Sequence, residues 1–74
     1  MSNYYVKYKD RWCRIRRVIE MLGTTDIEIV SGGQNEYLTI DGSNMEFAVG
    51  KWPKLDKVNW KTVKMWRGGI YSRP

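Results

Sequence analysis

The fold turns on residues 11–22, RWCRIRRVIEML. At a helical period, Trp12, Ile15, Val18, Ile19 and Leu22 share one face. Arg14, Arg17 and Glu20 lie opposite, with Arg16 beside them. Asp10 precedes the stretch as an N-cap and Gly23 follows it as a C-cap. At a period of two, Cys13, Ile15, Arg17, Ile19 and Met21 would share a face, and Arg17 would sit among them. The helix leaves no charge misplaced, so a basic amphipathic helix is expected over Arg11–Leu22.

On the N-terminal side, Tyr4–Tyr8 is aromatic and β-branched, which favours a strand. If that strand is an edge it could pair with a second copy, which leaves a homodimer open, although Lys7 and Lys9 discourage such pairing. On the C-terminal side, Ile27 and Ile29 alternate with Asp26 and Glu28, and Leu38 and Ile40 alternate along Glu36–Ile40. Gly32-Gly33 is a turn between these strands. Asp41-Gly42 is a strong hairpin signal, because a type I′ turn needs two residues that tolerate positive φ. Met45, Phe47 and Val49 then form a third strand, so Asp26–Val49 is expected as a three-stranded meander. From Lys54, the lysines at 54, 57, 61 and 64 recur at spacings of three and four, with Leu55, Val58, Thr62, Met65 and Trp66 roughly opposite. A second helix is expected there, although Val58, Trp60, Thr62 and Val63 favour a strand.

The expected fold over residues 1–74 is one small α+β domain. It is a small antiparallel sheet, the meander 26–49 plus the N-terminal strand, with one or two basic amphipathic helices on one face. The alternative is a small all-β barrel in which 12–22 and 58–66 are both strands. At 74 residues a single core supplies roughly 3–5 kcal/mol.

Charge is segregated along the chain. All 13 Lys and Arg residues lie outside 18–50, and that segment holds Glu20, Asp26, Glu28, Glu36, Asp41 and Glu46. With no histidine and one cysteine, neither a structural zinc site nor a histidine-based mechanism can be assembled. Cys13 has arginines nearby, but a buried thiol is the simpler reading. The acidic residues read as a solvated sheet face, and neither glycine pair matches a phosphate-cradling loop. A non-enzymatic protein without a cofactor is therefore expected. One cysteine points to a reducing, cytoplasmic setting. Lys7, Lys9 and Arg11 interrupt any signal-peptide core, and no apolar run is long enough to span a membrane.

The chemistry that remains is basic and aromatic. Lys7, Lys9, Arg11, Trp12, Arg14, Arg16 and Arg17 interleave cations with a ring. Lys57, Trp60, Lys61, Lys64, Trp66 and Arg67 do the same near the C-terminus. Cations neutralise phosphates, and exposed rings stack on bases. Two helices on one side of a sheet would merge these segments into one surface that contacts nucleic-acid backbone, with the acidic strands behind. The alternative is a protein-binding module, such as a phage-type regulator or an inhibitor of a host or defence protein. The same surface would then cover an acidic protein patch, since Trp, Tyr and Arg are enriched at interface hot spots.

Overall fold

The computed structural model describes residues 2–40, 45–65 and 71–72. The strands are β1 (Asn3–Tyr8), β2 (Arg11–Met21), β3 (Thr24–Ser31), β4 (Gln34–Thr39), β5 (Phe47–Lys51) and β6 (Lys54–Val58). A six-residue helix α1 (Trp60–Met65) and a short strand β7 (Tyr71–Ser72) follow. The strands form one sheet in the order β4-β3-β2-β1-β5-β6, all antiparallel, with β7 parallel to the far half of β2. The protein is thus nearly all-β, and the expected α+β arrangement is overturned.

The decisive correction is at Arg11–Leu22: Arg11–Met21 is a strand and Leu22 belongs to the turn that follows it. The ladder from β2 to β3 runs Ile15↔Ile29 and then Arg17↔Glu28, so Arg16 is an extra residue in a β-bulge. A bulge resets the alternation by one. Before it, Cys13 and Ile15 face the core; after it, Val18 does. Arg17 is thereby turned to the outer face. The three-residue step from Ile15 to Val18, which resembles helical spacing, is the imprint of the bulge. Asp10 and Gly23 are turn residues here, not helix caps. The pairs Lys9-Asp10, Leu22-Gly23 and Gly32-Gly33 all have positive φ, as a type I′ hairpin requires. The residues that cap helices are also those that tolerate such turns.

The second expected helix also shortens. Lys54–Val58 is β6, hydrogen-bonded to β5 through a turn at Trp52-Pro53. Only Trp60–Met65 is helical, and its N-cap is Asn59, whose Oδ1 accepts from the backbone N–H of Thr62 at 3.0 Å. The all-β alternative comes nearer, but within its expected strand at 58–66 the residues Trp60–Met65 are helical. Nor is Asp26–Val49 a meander. The strands over Asp26–Val30 and Glu36–Ile40 pair as expected, but β5 leaves β4 at the sheet edge and pairs with β1 and β6. The Asp41-Gly42 turn lies outside the described residues. Because β1 is paired on both sides, Tyr4–Tyr8 is an interior strand and offers no edge to a second copy.

The core lies on the concave side. Val6, Cys13, Ile15, Val18, Ile27, Ile29 and Phe47 pack there, and Val63 of α1 closes over them. The Trp60 ring stands 5.3 Å from that of Phe47. The Tyr8 hydroxyl donates to Glu36 Oε1 at 3.0 Å, linking β1 to β4. Two strands separate these elements, about 14 Å in a flat sheet, and side chains stand roughly upright from it. That contact requires the sheet to curl around its core.

Candidate functional site

Register and exposure sort the sequence-predicted residues into three groups. The first occupies the outer, convex face of β1 and β2. Lys7 lies opposite Trp12, and Tyr5 lies opposite Arg14. Cross-strand partners share a face, and Val6 and Cys13 between them point inward. Arg16, the bulge residue, is exposed beside Arg14. The Lys7 Nζ sits 5.2 Å above the half-buried Trp12 ring, a cation–π contact. The row continues outward: Tyr5 lies opposite Ala48, and Ala48 opposite Lys57 on β6. Arg14 and Lys57 therefore end one row across the outer sheet, whose two middle residues, Tyr5 and Ala48, are buried. The Lys57 Nζ also pairs with Glu46 Oε1 at 3.1 Å, and exposure on both sides makes this pair weak.

The second group sits at the β1–β2 turn. Lys9 and Arg11 are exposed there, and the Lys9 Nζ lies 5.3 Å over the Tyr8 ring. The third group is Lys61 and Lys64, exposed on α1, which covers the concave side. Trp66 and Arg67 lie outside the described residues. The expectation that both basic segments merge on one side is therefore corrected. The first segment became a strand, so Lys7, Arg14, Arg16 and Arg17 stand on the convex face while the lysines of α1 stand on the other.

Arg17 belongs to a different unit. It lies opposite Glu28, which lies opposite Tyr37, a row across β2, β3 and β4 on the outer face. Arg17 Nε donates to Glu28 Oε1 at 2.6 Å, and the Tyr37 hydroxyl donates to Oε2 at 3.2 Å. Glu28 is only 4% exposed. Burial is the largest influence on its carboxyl and pushes the pKa up. The hydrogen bonds from Arg17 and Tyr37, with the charges of Arg17 and Arg16, outweigh burial and hold it below the ordinary value. Arg17 is thus committed to a buried partner, unlike Arg14 and Arg16. The acidic strands do not form a separate back face either, because Glu28 and Glu46 lie among the outer-face cations.

Sequence reasoning passed over Trp52. It stands at the β5–β6 turn, 61% exposed, between Lys51 and Lys54, which face each other in the ladder. Its ring lies 6.2 Å from that of the buried Tyr5, tilted by 40°. The available signal was a tryptophan in a Lys-Trp-Pro-Lys turn, where apolar burial is not expected. Cys13 is buried on β2, with its Sγ 3.7 Å from the Arg11 carbonyl oxygen.

Among the described residues, no three His, Cys, Asp or Glu side chains are grouped to hold a metal ion. No helix among them is long and apolar enough to cross a membrane. No protein-family model, curated protein or solved structure matches the chain.

Proposed function

We propose that this protein is a non-enzymatic nucleic-acid-binding domain that holds a phosphate backbone against the convex face of β1 and β2. The carrying observation is the side-by-side exposure of Lys7, Arg14 and Arg16 around Trp12, with Lys57 at the other end of the row from Arg14. Cations spaced along adjacent strands neutralise successive phosphates and release their counterions. Contacts of this kind read no base edges, so binding is salt-sensitive and weakly sequence-selective. Lys9 and Arg11 extend the basic surface at one rim. Lys61 and Lys64 face away and contribute only long-range attraction. A cytoplasmic setting, where nucleic acid is accessible, belongs to the same reading and is supported by the single buried cysteine.

The test is affinity for mixed-sequence oligonucleotides as salt rises. With four phosphate contacts, from Lys7, Arg14, Arg16 and Lys57, raising salt from about 50 to about 200 mM should weaken binding about 100-fold. Arg14→Glu with Arg16→Glu should weaken binding to all sequences alike and flatten the salt dependence. Absence of binding at low salt, or an effect confined to one sequence, overturns the proposal.

A further inference from the structure

Resting on that reading, we infer that the ligand is single-stranded and that Trp52 stacks on one of its unpaired bases. Trp52 differs from the other described tryptophans. Trp12 and Trp60 are half-buried, one under the Lys7 ammonium and the other against Phe47 in the core. Trp52 stays 61% exposed at a hairpin tip. An indole costs free energy to leave in water, and this one is not loose, since it leans on the Tyr5 ring. A large, supported, open ring is what a base-stacking platform requires.

Its surroundings supply the complementary charge. Lys51 and Lys54 flank it across the turn, and both are exposed. Tyr5, against which it leans, lies directly opposite Arg14. The stacking ring therefore adjoins the row that Arg14 and Lys57 end. One strand can run its phosphates past Arg14 and Lys57 while a base turns onto Trp52. In a duplex both faces of an internal base are covered by its neighbours, so the ring has nothing to stack on. Phosphate contacts alone would not separate the two forms, whereas the ring does.

The experiment compares three fluorescently labelled probes of equal length in a polarisation assay: a mixed-sequence single strand, an abasic strand with the same phosphates, and a blunt duplex. The wild-type protein should bind the base-bearing strand best. Trp52→Ala should weaken that binding about 5- to 150-fold, the range for loss of one base–aromatic stack, and leave the abasic strand within about twofold. Trp52→Phe keeps a ring and should recover much of the loss, while a folding defect in Trp52→Ala would weaken the abasic strand as well. Equal binding of all three probes, unchanged by Trp52→Ala, overturns the inference and leaves the backbone reading standing. If no probe binds at low salt, both fail, and the aromatic–basic face is assigned to a protein partner.

Discussion

Because the fold depends on the bulge at Arg16, the sharpest test compares the two residues that follow it. With the bulge, Val18 faces the core opposite Ile27 and is 6% exposed, while Ile19 lies opposite Asp26 on the other face. An unbroken strand would exchange them, and a helix would bury both. Val18→Thr keeps shape and β-branching but puts a hydroxyl among Ile15, Ile27 and Ile29. Burial of such a group without a compensating partner costs about 1–3 kcal/mol. Against a total of roughly 3–5 kcal/mol, that is a large fraction. With a urea dependence of about 1 kcal/mol per molar, the unfolding midpoint should drop by about 1–3 M. Ile19→Thr should move it by less than about half as much, because its site is already partly wet. Tryptophan fluorescence in urea reads both. A larger loss at Ile19, or equal losses, would refute the bulge and the inward set built on it.

Two further outcomes follow from the sheet. Gly50 has φ of 151°, and a Cβ there would run into the backbone oxygen of Lys54. Gly50→Ala should therefore destabilise the protein by about 2 kcal/mol or more, seen as a lower thermal midpoint, and an unchanged midpoint would show that the β5–β6 ladder is looser than described. The second concerns acid. The folded pKa of Glu28 lies below its unfolded value of about 4.3, so its stabilisation is present above that pH and is lost as pH falls through the folded value. Glu28→Gln should flatten the acid side of the stability profile measured by urea midpoints, and an identical slope in both proteins would assign the acid sensitivity elsewhere.

Local signals in this sequence were legible where they stayed local. The alternation of Ile27 and Ile29 and the double glycine at 32–33 each marked the structure they form. The cationic and aromatic content of residues 7–17 was equally visible, and it is the material of the candidate site. The composition also announced a protein without histidine chemistry.

Tertiary structure decided the rest. Alternation cannot report a bulge, because one inserted residue converts a period of two into a spacing that looks helical. Only pairing with β3 shows that Arg16 is the extra residue and that Arg17 has a buried partner in Glu28. Beyond the β3–β4 hairpin, strand partners were likewise unreadable, since turn signals such as Asp41-Gly42 are short-range. The pairing of β5 with β1 is a long-range choice that puts Phe47 in the core beneath Trp60. That choice also sets Trp52 beside Tyr5, which lies far from it in sequence and is itself the ladder partner of Arg14. Composition therefore determined which chemistry this protein could offer, while non-local pairing determined which side chains meet on one face.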